Sequence, residues 1–195
     1  MQFNFVSREV YRQKNQQDFM ATLHSKYENT LIIPEGGTNP LAIKGCTEIL
    51  TSTDAGFDHI CCAVGTGGTI SGLIHTAESH QTVLGFPALK GDFLKGDIAT
   101  FVKRENWKLI SDYHFGGYGK VDEVLVNFIN TFKKETGIPL DPVYTGKMMF
   151  GIVDLIQQGH FQKGSKILAI HTGGLQGVAG MNQRLKQRKM PVLEI

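Results

Sequence analysis

Residues 63–72 read Ala63-Val64-Gly65-Thr66-Gly67-Gly68-Thr69-Ile70-Ser71-Gly72. This glycine-rich turn sits between the apolar run His59 to Val64 and a stretch of helical spacing from Thr69 to Ser79. A short apolar run, a glycine turn and an amphipathic segment in that order make a strand-turn-helix unit. The same alternation recurs outward along the chain. Further strands are predicted at Phe3 to Ser7, Leu31 to Ile33, Thr82 to Phe86, Trp107 to Ile110 and Lys166 to His171. Helices are predicted from about Lys14 to Tyr27, Pro40 to Leu50, Gly91 to Glu105, Val121 to Phe132 and Gly146 to Gln158. Gly173-Gly174 opens a terminal helix that ends in the basic run Arg184 to Lys189, which reads as a solvated face. Strands alternating with helices predict an α/β fold, a mostly parallel open sheet with helices on both faces.

The composition narrows the function classes. The chain has 195 residues with a formal net charge of +2, so nothing marks it as a binder of nucleic acid or of a membrane surface. Hydrophobic residues make up 41% and charged residues 19%, which is globular rather than disordered. No stretch approaches the roughly 20 apolar residues of a membrane span, and the first residues lack a signal peptide's pattern, so a cytoplasmic location is expected. The three cysteines include the adjacent pair Cys61 and Cys62, whose side chains point to opposite faces of a strand; they read as core thiols. No CxxC, HExxH or histidine-rich tract offers metal ligands, so no metal site is expected. The excess is in glycine, 23 residues, about 12% against a usual share of about 7%.

The turn at Gly65 to Thr69 exposes backbone N–H groups at the positive end of a helix, which suits a phosphate, and Thr66 and Thr69 can add hydroxyl donors. A dinucleotide fingerprint needs a third glycine where Ile70 stands, and no acidic residue ends the following strand to hold a ribose. A P-loop needs Gly-Lys-Ser or Gly-Lys-Thr, whereas Gly146-Lys147 is followed by Met148 and Gly119-Lys120 by Val121. Two readings remain: a small phosphate monoester held by backbone amides, or a tight turn without a ligand. Glu35-Gly36-Gly37-Thr38-Asn39 and His171-Thr172-Gly173-Gly174 also follow predicted strands, and ligands of open α/β sheets sit at that edge. With Tyr113, Tyr118 and Tyr144 in glycine-flanked stretches, the three loops outline one pocket. Asn39 before Pro40 is an expected N-cap, and His171 reads as a hydrogen-bonded structural imidazole.

Four ordered motifs, IPEGGTNPLAIKG, AVGTGGTISGL, DPVYTGKMMFGI and AIHTGG, hold eleven of the 23 glycines. Together they resemble the pyridoxal-phosphate enzymes that comprise D-cysteine desulfhydrase and 1-aminocyclopropane-1-carboxylate (ACC) deaminase, of the tryptophan-synthase-β-like fold. The resemblance implies pyridoxal 5'-phosphate as cofactor, with Gly65, Thr66, Gly67, Gly68 and Thr69 cradling its phosphate. It implies that Asn39 lines the cofactor ring, that Tyr144 and Tyr118 face the substrate, and that Thr145 and Thr172 stand near the pyridine nitrogen. A small amino-acid substrate, a homodimer and a lyase or hydrolase reaction follow from the same resemblance. So does a division into a remnant of the small domain, 1–34, and a large cofactor-binding domain, 35–195.

Deaminases of the resembled family typically carry a glutamate directly after the second tyrosine and a leucine in the closing motif. Here those positions are Thr145 and Thr172, which implies the desulfhydrase type: α-proton abstraction, loss of hydrosulfide from Cβ, and release of pyruvate and ammonia. The family places its cofactor-linking lysine in a GNK-like motif near the N-terminus, followed by a serine and asparagine turn. Neither is present, and neither Lys147 nor Lys44 stands at a matching position. The expectation is a C-terminal portion of such an enzyme, N-terminally incomplete and inactive alone. ACC deaminase, a degenerate protein that holds pyridoxal phosphate without covalent attachment, and a partial fold needing a partner remain the alternatives.

Overall fold

The structure, a computed structural model, describes residues 2–195. The chain divides into two compact units, Met1–Pro34 and Glu35–Ile195.

The first unit holds two short helices, α1 (Arg8–Arg12) and α2 (Gln17–Lys26), neither of which buries a residue. Ser7 caps α1, its Oγ accepting from the N–H of Val10 at 3.3 Å. The strands predicted at Phe3 to Ser7 and at Leu31 to Ile33 do not form; Phe5 is 94% and Leu31 83% exposed. Alternating apolar residues make a strand only where a neighbouring strand completes the ladder, and among the described residues none pairs with them. Helix α2 begins at Gln17 rather than Lys14, because hydrogen-bonded turns occupy the chain between the two helices.

The second unit is built on a four-stranded, wholly parallel sheet. In chain order it runs α3 (Pro40–Cys46), β1 (His59–Val64), α4 (Gly68–Thr76), β2 (Thr82–Pro87), α5 (Phe93–Phe101) and β3 (Trp107–Leu109). It continues with α6 (Glu123–Thr136), α7 (Thr145–Gln157), β4 (Ile167–Ile170) and α8 (Val178–Gln187). The strand order is β3-β2-β1-β4, with His59 of β1 in register with Thr82 and Ile167. Helix α3 stops at Cys46, short of the predicted Leu50, and α5 spans Phe93–Phe101 only.

Alternate residues of β1 serve two cores, as a strand covered on both faces requires. Ile60, Cys62 and Val64 pack with Ile70, Leu73 and Ile74 of α4 and with Leu94 and Ile98 of α5. Cys61 and Ala63 pack on the other face with Leu84, Phe86 and, from α7, Met148, Ile152 and Leu155. Burial in these layers pushes the Cys61 thiol up to about 12 and the Cys62 thiol higher still. Cys46 differs from the expected core thiol: it is only partly buried. A third cluster joins α6 and α8 through Leu125, Val126, Ile129, Val178, Met181 and Leu185.

Two glycines set the seat of α4. A Cβ on Gly85 of β2 would stand 2.5 Å from Ile70 Cδ1, and one on Gly72 would collide with Cys46 where α3 crosses. The helix is thereby pressed against both neighbours. Its N-terminus lies at the C-terminal edge of the sheet, where ligands of open α/β folds bind.

Candidate functional site

At the end of β1 the chain turns through Gly67, whose φ of +90° places it in the left-handed region as the N-cap of α4. An L side chain there would be strained and would also meet Ile98 Cγ1 at 2.8 Å. The first intrahelical bond is donated by the N–H of Ser71 to the Gly67 carbonyl at 3.0 Å. The amides of Gly68, Thr69 and Ile70 therefore precede the ladder and point out of the helix end. The Ser71 hydroxyl reinforces the turn, donating to the Gly67 carbonyl at 2.7 Å.

A cavity of about 360 Å³ opens on this helix end. Its wall is formed by Gly65 to Ile70, by Gly36 to Thr38, by Thr172 to Gly174, and by Tyr144, Cys46 and Gln176. The three glycine loops singled out in the sequence thus meet at one place, two of them at the ends of β1 and β4 and the third, which follows no strand among the described residues, ahead of α3, and Tyr144 faces them. Thr38 and Thr66 join two of the loops, their hydroxyls 2.6 Å apart. The loops interlock: a Cβ on Gly36 would stand 2.6 Å from Thr66, and one on Gly68 would stand 2.8 Å from Thr38 Oγ1.

The donor set fits a phosphate monoester. It consists of free-end amides with the positive end of a helix dipole behind them. The space before it stays open because Gly65 has no side chain; a Cβ there would reach within 3.3 Å of Tyr144 Cε1. No carboxylate and no lysine lines the cavity among the described residues.

Tyr144 is half-buried, and its phenol is pushed up to about 12. Burial is the main cause; the hydrogen bond with Tyr118 and the charges of Asp141 and Glu35 add to it. The hydroxyl is therefore held protonated at neutral pH, a donor rather than a phenolate base. Tyr118 does not line the cavity: it is 62% exposed and meets the Tyr144 ring edge-on, with centroids 6.0 Å apart. Tyr113 is elsewhere, packed against Phe86 and Phe150, its hydroxyl donating to Asp154 Oδ2 at 2.6 Å. Its place in the pocket is thus corrected: ring burial in the core outweighed the loop context.

Two threonines and an asparagine also part company. Thr172 lines the cavity. Thr145 does not: it is fully buried, and its hydroxyl donates to Asp141 Oδ2 at 2.7 Å while accepting the Asp141 N–H at 2.9 Å. Asn39 is consumed as the N-cap of α3, its Oδ1 accepting from Ala42 at 3.0 Å and its Nδ2 donating to the Gly37 carbonyl at 3.1 Å. It supports the loop and does not line the cavity. His171 accepts the Gly173 N–H on Nδ1 at 3.1 Å and faces the Pro139 carbonyl through Nε2 at 2.9 Å. That pattern requires the neutral, Nε2-protonated ring, a structural imidazole that shapes the third loop.

Asp141 escaped the sequence reading. It is 1% exposed, and its carboxylate accepts from the N–H groups of Val143, Tyr144 and Thr145, each at 2.8 Å, as well as from the Thr145 hydroxyl. It anchors the N-terminus of α7 and fixes Tyr144. The signal was present, an aspartate four residues ahead of a helix start.

Comparison with known proteins identifies the family. Residues 8–173 match the model of the family described as "Pyridoxal-phosphate dependent enzyme". The chain belongs to that family. A putative ACC deaminase of Pyrococcus horikoshii is 34% identical over 173 residues, which is 79% of this chain and 52% of the relative. The bifunctional D-cysteine desulfhydrase/ACC deaminase, mitochondrial, of Arabidopsis thaliana is 30% identical over 200 residues, covering 90% of this chain and 50% of the relative. A crystal structure of an ACC deaminase homologue superposes with a TM-score of 0.75 at 27% identity, over 95% of this chain and 62% of that one. Threonine deaminase isoform 2 of Solanum lycopersicum, with a TM-score of 0.54 at 17% identity over 85% of this chain and 52% of that one, shares the fold. The chain spans about half the length of the curated relatives it matches.

Family and parallel-sheet fold are thus those that the four motifs imply, and pyridoxal phosphate is the cofactor of this family. The names of the two curated relatives give ACC and D-cysteine, both small amino acids, as what those proteins act on. A lyase class fits the relatives' names; the hydrolase class does not. No helix of the described residues is long and apolar enough to cross a membrane.

Proposed function

We propose that this chain carries the cofactor-binding part of a pyridoxal-phosphate-dependent lyase of the D-cysteine desulfhydrase type. The observation that carries the proposal is the helix end at Gly65 to Thr69, opened by glycine and faced by the protonated phenol of Tyr144. The amides of Gly68, Thr69 and Ile70 would hold the phosphate, with Thr66 beside them, and Thr172 would face the ring. When bound, pyridoxal phosphate supplies an electron sink for charge developing at the substrate's Cα. The chain's residues orient and exclude water around it, and Tyr144 Oη presents a proton on the cavity side. Tyr118 adjoins it through the edge-on ring contact.

The preference for D-cysteine over ACC rests on the cavity's neutral lining. Thr172, on the cavity wall, would offer a ring nitrogen a hydroxyl, and among the described residues no carboxylate lines that wall to protonate it. Thr145 supports this reading only from beneath, through Asp141. With no lysine in the lining among the described residues, the chain alone binds the cofactor without a covalent link and is inactive by itself. A homodimer completes the proposal.

Titration of the chain with pyridoxal phosphate and with pyridoxal, followed by borohydride reduction, tests it. The phosphorylated form is expected to bind at least about tenfold more tightly, equivalent to about 1.4 kcal/mol, with no stable lysine adduct. Equal binding of the two would overturn the phosphate site, and one specific lysine adduct would overturn non-covalent binding. Light scattering reads the oligomeric state.

A further inference from the structure

Lys147 lies on the first turn of α7, three residues beyond Tyr144, and is 2% exposed. Its Nζ donates to the main-chain carbonyls of His114 at 2.8 Å and Gly117 at 2.9 Å. Both carbonyls belong to one turn. Gly117 N–H donates to the His114 carbonyl at 3.0 Å, and His114 Nδ1 accepts from the Gly116 N–H at 2.9 Å. The residue after Gly117 is Tyr118.

This turn needs an external hold. Phe115, Gly116, Gly117 and Gly119 all have positive φ, and a chain in that conformation has many alternatives when free. Burial does not fix Tyr118, which is mostly exposed. Phe115 of the turn meets Phe150 of α7 edge-on, with centroids 5.0 Å apart, and the two bonds from Lys147 are the polar tie between the turn and the helix that follows Tyr144. Packing alone does not account for a lysine here, because methionine would fill the space without a charge to bury. The charge is disfavoured: burial brings the ammonium down to about 8, against the opposite pull of Asp141 and Asp122.

We propose that Lys147 is a positioning residue, whose buried Nζ fastens the turn His114 to Gly117 to α7 and so holds Tyr118 against Tyr144. The importance of that pair rests on the proposed function, but the clamp itself does not, so it is tested without cofactor.

The test is a cycle of Lys147→Met and Tyr118→Phe in the whole chain, read by the titration of Tyr144 and by amide exchange of residues 115–120. Lys147→Met is expected to lower the Tyr144 midpoint by nearly as much as Tyr118→Phe. Added to Tyr118→Phe it should shift the midpoint no further. Exchange in 115–120 should rise at least tenfold while β1 stays protected. Equal shifts in both backgrounds, or unchanged loop exchange, would overturn the proposal.

Should Lys147→Met not fold, the wild-type chain gives an independent answer by millisecond exchange between pH 8 and 9.5. Asp141, Asp122 and His114 are the titratable groups around Lys147. Opening that frees Nζ takes up a proton, so protection of 115–120, corrected for intrinsic rate, rises with pH by up to tenfold per unit. Flat protection means the turn opens without releasing Lys147, and the clamp does not exist. Failure of pyridoxal phosphate to bind would leave all these readings unchanged.

Discussion

Gly65 and Tyr144, 79 positions apart in the sequence, face each other so closely that a Cβ on the glycine would stand 3.3 Å from Cε1 and 3.4 Å from the hydroxyl of the tyrosine. The space between the phosphate-binding turn and the phenol exists because position 65 carries no side chain.

Gly65→Ala should therefore leave the fold intact and close the cavity. Position 65 is not in the left-handed region, so the backbone tolerates alanine. Calorimetric titration with pyridoxal phosphate is expected to show at least about tenfold weaker binding, while the melting temperature moves by less than about 3 °C, the equivalent of roughly 1 kcal/mol. Gly67→Ala is the contrast: its φ of +90° and the contact with Ile98 predict a loss of stability of about 1–3 kcal/mol.

Asp141→Ala should destabilise the second unit and displace Tyr144 together. It strips three N–H groups and the Thr145 hydroxyl of their common acceptor at a buried helix start. The expected cost is about 3 kcal/mol, a fall in melting temperature of roughly 6–12 °C.

The two threonines of the closing motifs should separate cleanly. Thr145→Val removes the two hydrogen bonds that its hydroxyl makes with Asp141, leaving that of its main-chain N–H, and is expected to cost about 1–2 kcal/mol of stability, with pyridoxal phosphate affinity nearly unchanged. Thr172→Val should leave stability unchanged and alter the absorbance of bound cofactor, since Thr172 lines the cavity. A spectral change from Thr145→Val and none from Thr172→Val would reverse the assignment.

Stability should rise and then fall on the alkaline side. Burial brings the Lys147 ammonium down to about 8 in the folded chain from its ordinary 10.5, so the unfolded chain binds more protons between those limits and stability increases with pH there. Tyr144 has a folded value of about 12 against 10.0, so the folded chain keeps its proton longer and stability is lost from about pH 10 upward. The buried Cys61 and Cys62 thiols, raised from the usual 9.0, begin to cost stability from about pH 9, so urea unfolding across pH 7–12 should show a maximum near pH 9, and Lys147→Met should remove the rising limb.

The sequence by itself determined β1, the glycine turn and α4, because a buried strand and a helix N-cap are written in residues adjacent along the chain. The same holds for Asn39 and Pro40 at the start of α3, and for Cys61 and Cys62 on opposite faces of one strand. Local periodicity misjudged Phe3 to Ser7 and Leu31 to Ile33, where a strand depends on a neighbour that no local pattern reveals. Tertiary structure alone decided which polar side chains reach the cavity. Thr145 and Thr172 look alike in the sequence, yet one is turned into the helix start by a buried carboxylate four residues away and the other is left on the wall. Lys147 is decided in the same way: its hydrogen-bond acceptors are carbonyls 30 and 33 residues earlier, which only the packing of a distant turn on α7 could bring to it.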